Sequence, residues 1–326
     1  MTSEGGKPDE FNLIASVFNP LTDGDERALG LMDDAAVMPQ REDFDTIITT
    51  DTMVAGVHFL DTERPDLIAR RLLRVNLSDL ASMGAVPTGY FLNLTLNDLA
   101  DKLWLDRFAA GLRKDQDEFN FCLLGGDTTH TKRDLTLTAT FVGEVDTGFA
   151  ITRTGASAGD DVYVSGTIGD AALGLKYLIS GDNKPETIIR RFQLPDPRVA
   201  LGTRLRGLVS AAADVSDGLV ADLVHICRAS KVSATIIGDQ VPVSPIVDNR
   251  LAAGDIELSD ILSGGDDYEL VFTAPTNLEQ NIVEAAQLSA VRVTKIGKVL
   301  DGPEMVRVLN PSGDEIKLEA LGYSHF

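Results

Sequence analysis

Apolar positions in this chain repeat with two different spacings, and the spacing changes many times along its length. A stripe at helical spacing runs through residues 65–83, where Ile68, Leu72 and Val75 form one row and Leu73, Leu77 and Leu80 another. Most of that circumference is apolar, which predicts a well-buried helix. The same spacing predicts helices at residues 10–18, 103–118, 170–179, 185–192, 199–209 and 219–229. Short apolar runs bounded by polar or glycine-rich residues predict strands at 45–50, 90–96, 121–124, 135–145 and 161–165, with strands and helices alternating from there to the end. Around residues 147–160 the pattern lapses into TGFAITRTGASAGD, a stretch suited to a domain junction. The expectation is a mixed α/β (α+β) protein with one domain over 1–150 and a second over 151–326.

Length agrees with that division, because 326 residues exceed one compact core and suffice for two. With 44% apolar and 24% charged residues the chain has the composition of a folded globular protein. Charge changes the picture more: 50 acidic against 29 basic residues give a formal net charge of −21, which repels phosphate backbones and anionic membranes, so nucleic acid is not expected as a partner. A polyphosphate ligand would have to meet such a chain through a shared cation, and Mg²⁺ held by carboxylates is the usual solution. An acidic surface is more often just a solubility device, so charge alone does not establish such a ligand. Cys122 and Cys227 have no Cys or His neighbour at metal-ligand spacing, and read as two buried free thiols. The polar start MTSEGGKPDEF and the lack of any run of about 18 apolar residues lead to the expectation of a soluble, cytoplasmic protein.

Candidate chemistry lies in aspartates that end apolar strands or sit beside glycine: Asp33 and Asp34, Asp51, Asp127, Asp214, Asp217, and Asp266 with Asp267. Several oxygens converging where small residues such as Gly125, Gly126, Gly264 and Gly265 let backbone approach a ligand would suit a hard cation. Any one of them alone reads rather as a turn or cap aspartate, and it is their number that favours the cation. Asp79 falls on the apolar stripe of the long helix, four residues beyond Val75, and a carboxylate buried there would need a metal, a cation or several donors. A local hydrogen bond from Asn76 or Ser78, or a helix that turns Asp79 into a cleft, would serve instead. The Asp214–Gly218 segment precedes an apolar-periodic helix, so its carboxylates and hydroxyl are expected at the N-cap. The segment GDAALGLK, starting at Gly169, resembles a phosphate-binding loop only superficially, and no GxGxxG or calcium-loop pattern follows a strand. His58 could contact a substrate phosphate or ring, although a structural role is the default for it and for His130, His225 and His325. Arg153 is a candidate phosphate clamp or a plain surface residue.

Six stretches occur in a telling order: GLMDDAAV (30–37), TTDTMVAGVHF (49–59), NLSDLASMGAVP (76–87), GGDTT (125–129), DVSDGL (214–219) and SGGDDYEL (263–270). Together they resemble the motif set of the thiamine-monophosphate kinase family along nearly the whole chain. NLSDLA-MGA and GGD resemble a wider superfamily that includes aminoimidazole ribonucleotide synthetase and selenophosphate synthetase. The resemblance implies a two-domain PurM-like fold, with an N-terminal sheet that pairs across a homodimer and a C-terminal α/β domain. It implies ATP-dependent phosphorylation of thiamine monophosphate to thiamine diphosphate, assisted by several Mg²⁺ ions.

Carried over by motif, Asp34, Thr49, Thr50, Asp51, Asp79, Asp127, Asp214 and Asp217 would be metal ligands. Gly126, Asp127, Arg153 and Ser216 would line the ATP site, and His58, Asp266 and Tyr323 would face thiamine monophosphate. The chain departs from the family at Met32, which stands where members have glycine before the paired aspartates. No general base is assigned, since the acceptor phosphate oxygen is already largely ionised near neutral pH. Two other readings remain open: another ATP-using member of the superfamily, of which selenophosphate synthetase would present a reactive Cys near its N-terminus, and a non-catalytic protein that binds Mg²⁺ and nucleotide.

Overall fold

The computed structural model describes residues 10–33, 35–181, 185–318 and 320–323. These divide into two compact units, one comprising residues up to Leu77 with Pro87–Asp146, the other Ser78–Val86 with the residues from Thr147 onward. A single cut in the chain does not reproduce this division, because Ser78–Val86, the last turn of one helix and the loop after it, group with the second unit.

In the first unit a four-stranded sheet has the order β1-β4-β2-β3, from β1 (Phe44–Val54), β2 (Val86–Leu96), β3 (Cys122–His130) and β4 (Thr136–Asp146). The short helix α1 (Glu10–Leu13) passes at once into a wider π-type segment over Ile14–Phe18, so the helix expected over 10–18 is regular only to Leu13, and a 3₁₀ turn (Asn19–Thr22) starts at Asn19-Pro20. Helices α2 (Pro65–Ser82) and α3 (Lys102–Phe119) carry the apolar stripes. Leu72, Leu73, Leu77, Phe108 and Leu112 are fully buried, as are Tyr90 and Phe141, whose rings stack at 5.2 Å. Asp101 caps α3 by accepting from the Trp104 N–H at 2.7 Å, and Asn120 ends it in the left-handed conformation.

Strands β1 and β3 are longer than the apolar runs that announced them. Asp51 pairs with Ala139 in the middle of β1, and Asp127 pairs with Asn93 inside β3, so neither aspartate ends its strand as expected. Backbone pairing continues past the apolar residues because the ladder bonds need no apolar side chain, and one face of the sheet is open to polar residues such as Thr50 and Thr52. On that face the Thr50 and Thr140 hydroxyls lie 3.0 Å apart and those of Thr52 and Thr138 2.8 Å apart.

The second unit holds a six-stranded mixed sheet, order β10-β7-β9-β5-β8-β6, from β5 (Asp161–Ser165), β6 (Ala211–Asp214), β7 (Ser233–Ile237), β8 (Leu270–Ala274), β9 (Val293–Leu300) and β10 (Val306–Leu309). Its helices are α4 (Asp170–Ser180), α5 (Glu186–Gln193), α6 (Val199–Leu205), α7 (Leu219–Ser230), α8 (Pro245–Ala253), α9 (Leu258–Leu262) and α10 (Glu279–Leu288). Every residue of β5, β6 and β8 is buried. Alternate residues enter two separate cores: Val162, Val164, Ala213 and Val271 pack with α7 residues such as Leu223, whereas Tyr163, Ala212, Phe272 and Ala274 pack with Leu201 of α6 and Ile282 of α10. Burial on both faces explains why these strands read as continuous apolar runs. Helix α6 stops at Leu205, four residues short of expectation, where Arg206 turns to extended backbone.

Candidate active site

In the second unit two loops lock together. Asp214 ends β6, and the chain passes through Val215, Ser216, Asp217 and Gly218 into α7. The loop before β8 follows it closely: the Asp266 N–H donates to the Ser216 carbonyl at 2.8 Å, the Tyr268 N–H to the Val215 carbonyl at 2.8 Å, and the Val215 N–H to the Glu269 carbonyl at 2.7 Å. Asp266 and Tyr268 hold φ of 71° and 50°, the left-handed region that side chains adopt only under constraint, and such residues gather at functional sites. The C-terminal segment joins them, the Tyr323 N–H donating to the Asp217 carbonyl at 2.9 Å. Asp214, Ser216, Asp217, Asp266 and Tyr323, each expected in the site from sequence, are thus neighbours through backbone contacts.

Buried side chains support these loops. Ser78, fully buried, donates to Asp214 Oδ2 at 2.9 Å, and Asp267 accepts from the Gly169 and Ala171 N–H groups at the start of α4 at 2.7 and 3.2 Å. Glu269, also fully buried, binds Ser165 at 2.6 Å and pairs with Arg191 and Arg198 at 2.8 and 2.5 Å. Asp79 is only half-buried, which corrects the expectation that it would be a buried carboxylate on the apolar stripe. The helix turns it partly toward solvent and leaves the fully buried place to Ser78 beside it. A desolvation argument therefore does not demand a metal at Asp79.

The expected side-chain cap of α7 is also corrected. Gly218 is the N-cap, at φ 132° and ψ 148°, and no side chain of the 214–217 segment caps the helix. Instead Asp222, in the first turn, reaches back so that its Oδ2 accepts from the N–H groups of Ser216, Asp217 and Gly218 at 3.0, 3.1 and 3.2 Å. Asp217, Asp222 and His225 present ligand atoms within 4.8 Å of one another. Burial, and after it the charge of Asp217, pushes the Asp222 carboxyl up to about 7. His225 is held below the usual histidine value by burial first, then by Arg153 and Arg228. Arg153 itself is exposed, its carbonyl accepting from Ser230 Oγ at 3.0 Å. Asp222 went unnoticed in the sequence, although an Asp three residues before a His on a helix that follows DVSDG was a readable signal.

The first unit carries a cleft of about 610 Å³ on the open side of its sheet, walled by Phe18, Leu31, Phe91, Asn93 and Thr140 and floored by Gly125, Gly126 and Asp127. Gly126 has a φ of 153°, and a Cβ there would run into the Leu92 carbonyl oxygen. Only glycine fits at that close approach. The segment over the cleft is tied down by Arg27, which donates to the Thr88 carbonyl at 2.7 Å and pairs with Asp25 at 2.8 Å. Asp33 lines the cleft; Asp34 lies outside the described residues. Met32 takes an ordinary right-handed conformation (φ −103°) and is largely exposed, so the turn has no need of glycine there. The left-handed positions fall earlier, at Leu29, Gly30 and Leu31.

Not every residue expected in this unit lies at the cleft. Asp51 stands opposite buried Ala139, and strand alternation puts it with Thr49 on the face away from Thr50 and Thr140. The Thr50 hydroxyl bonds the Ala139 carbonyl at 3.2 Å as well as Thr140. His58 Nδ1 accepts from the Val54 N–H at 3.0 Å, closing the turn after β1.

The acidic donors in each unit are hard oxygens, the chemistry that suits Mg²⁺. The mutual repulsion of Asp217 and Asp222 is what a cation between or beside them would relieve. Both thiols are free and buried, and burial raises Cys122 and Cys227 to about 11, which keeps them protonated near neutral pH. No helix among the described residues is long and apolar enough to cross a membrane.

The chain matches the family model for AIR synthase related protein, N-terminal domain, over residues 32–145, and that for the C-terminal domain over residues 157–310. It is 42% identical to thiamine-monophosphate kinase of Caulobacter vibrioides, over 98% of this chain and 91% of that protein. The crystal structure of thiamine-monophosphate kinase from Stenotrophomonas maltophilia K279a superposes with a TM-score of 0.84 at 38% identity, covering 94% of this chain and 98% of that one. The structure of AaThiL complexed with AMPPCP and TMP superposes at 0.79, with 28% identity and 97% of both chains covered. The six motifs, the two AIR synthase related domains and this likeness over nearly the full length agree, and the chain belongs to the thiamine-monophosphate kinase family of enzymes.

Proposed function

We propose that this enzyme transfers the γ-phosphoryl group of ATP directly to thiamine monophosphate, giving thiamine diphosphate, with Mg²⁺ ions held by its aspartates. What carries the reading is the pair of interlocked loops that present Asp214, Ser216, Asp217 and Asp266, in a chain whose relative was solved with AMPPCP and TMP. Phosphoryl transfer asks a protein for positioning and charge neutralisation more than for a covalent nucleophile. Bound Mg²⁺ would neutralise phosphate charge and polarise the transferring group.

The carboxylates proposed to hold it are Asp34, Asp51, Asp79, Asp127, Asp214 and Asp217, with oxygens of Thr49 and Thr50. Gly126 would let a phosphate lie against backbone, and Arg153 and Ser216 would complete the nucleotide contacts. Asp266, His58 and Tyr323 are proposed on the thiamine monophosphate side. The attacking atom is an oxygen of a phosphate whose second pKa is about 6, so at neutral pH it is already ionised and no residue need remove a proton. A homodimer formed through the N-terminal sheet is part of the proposal.

The test is to incubate purified protein with ATP, Mg²⁺ and thiamine monophosphate and to follow thiamine diphosphate by chromatography, with an EDTA control. EDTA-sensitive product is expected. No product, from protein that still binds Mg²⁺ and ATP, would return the acceptor to the wider superfamily.

A further inference from the structure

Asp222 occupies a place that in other proteins is left for a ligand. Successive backbone N–H groups that converge on one point form a nest for anions. Here the N–H groups of Ser216, Asp217 and Gly218 converge on a single oxygen, Asp222 Oδ2, at 3.0–3.2 Å. The carboxylate is 1% exposed, and the Asp222 N–H returns a bond to the Gly218 carbonyl at 3.0 Å. No phosphate can enter that nest while the protein's own carboxylate fills it. The loop is also closely packed, since a Cβ at Gly218 would press on the Ser263 and Gly264 backbone, and the Asp266 N–H holds the Ser216 carbonyl.

We infer that Asp222 is a positioning residue for the phosphoryl transfer: by clamping three consecutive N–H groups it sets the direction in which Asp217 and Ser216 present their oxygens to Mg²⁺ and nucleotide. The inference rests on the proposed metal role of Asp217. Asp222 Oδ2 is taken up by three backbone donors, while Asp217 is half-buried and keeps a carboxylate oxygen within 4.8 Å of ligand atoms of Asp222 and His225. Partners that orient a metal ligand typically change metal affinity or activity by about 10–100-fold when removed.

The experiment is calorimetric titration of Mg²⁺ into protein with AMPPCP, for wild type, Asp222→Ala and Asp222→Asn, with KM for thiamine monophosphate measured alongside. Asp222→Ala is expected to weaken Mg²⁺ binding about 10–100-fold with little change in acceptor KM, and Asp222→Asn, whose amide oxygen can still accept from the loop, to recover most of the loss. Unchanged Mg²⁺ affinity in a folded Asp222→Ala protein overturns the inference. So does an Asn variant as weak as the alanine one, which would make the carboxylate charge itself a ligand. If the alanine variant does not fold, Asp222→Glu replaces it: the charge is kept but the oxygen is displaced by a methylene, and affinity as in wild type overturns the positioning role. A wild type that binds Mg²⁺ and AMPPCP without turning over thiamine monophosphate defeats the substrate reading and leaves this comparison in force; a wild type that binds no Mg²⁺ overturns the inference.

Discussion

At Gly126 the backbone of β3 approaches β2 so closely that a side chain has nowhere to go, and the φ of 153° adds conformational cost for any other residue. Gly126→Ala is expected to destabilise the protein by about 1–3 kcal/mol and to lower turnover, read by denaturant unfolding and by chromatography of thiamine diphosphate. Asp267 makes a prediction about pH. Burial raises its carboxyl from 3.8 to about 8, so the folded chain holds a proton that the unfolded chain releases near 3.8. The unfolded state then binds fewer protons across that window, and stability falls as pH rises from about 4 to about 8, by at most about 1.4 kcal/mol per pH unit, and is flat above. In Asp267→Asn, which cannot ionise, that fall should vanish; a wild type whose unfolding midpoint is the same at about pH 5 and about pH 8 would contradict the assignment. For the aspartates themselves, Asp127→Asn and Asp214→Asn are expected to abolish most turnover in proteins that remain folded, and near-normal rates would remove both from the proposed metal ligands. The identities of these residues were legible because their motifs are short and ordered, but Asp79 shows the limit. Spacing placed it on a buried stripe, whereas the helix turns it half toward solvent, since helical period gives a side chain's direction and not what lies in that direction.

Among elements, the pairing of α2 with α3 depends on a buried carboxylate. Asp115 on α3 is fully buried and accepts from Arg70 at 2.7 Å and from Arg74 at 2.8 Å, both on α2, while Glu118 reaches the same two guanidinium groups. Removing one member of such a group strands the others, so Asp115→Ala should cost about 3–5 kcal/mol in denaturant unfolding. Glu118 is largely exposed, and Glu118→Ala should cost far less, at most about 1 kcal/mol. The helices α2, α3, α4, α5 and α7 and the strands β2, β4 and β5 were readable within a few residues, because their apolar stripes and runs are long. The ends of β1 and β3 were not. Their pairing with β4 and β2 carries the strands on through polar Thr, Asp and Gly residues that leave no periodic signal.

For the molecule as a whole, the formal charge of −21 means that a polyphosphate can approach only with its charge masked. AMPPCP with Mg²⁺ should raise the melting temperature and EDTA should reverse the rise, since a ligand that binds only the folded state stabilises it by mass action, by about 2.7 kcal/mol at a hundredfold excess over Kd. A nucleotide-induced rise that survives EDTA would count against the shared cation. By itself the sequence determined the α/β class, the presence of two domain-sized parts, the buried character of β5 and the roster of motif residues, because each follows from local period and composition. The tertiary structure alone decided that Asp51 and Asp127 lie within strands and on opposite faces of their sheet, that the loops at Ser216 and Asp266 interlock, and that Asp222 rather than a capping side chain organises the start of α7. The physical reason is that register, face and backbone donors without helical partners are settled by contacts between segments distant in sequence, which no local spacing encodes.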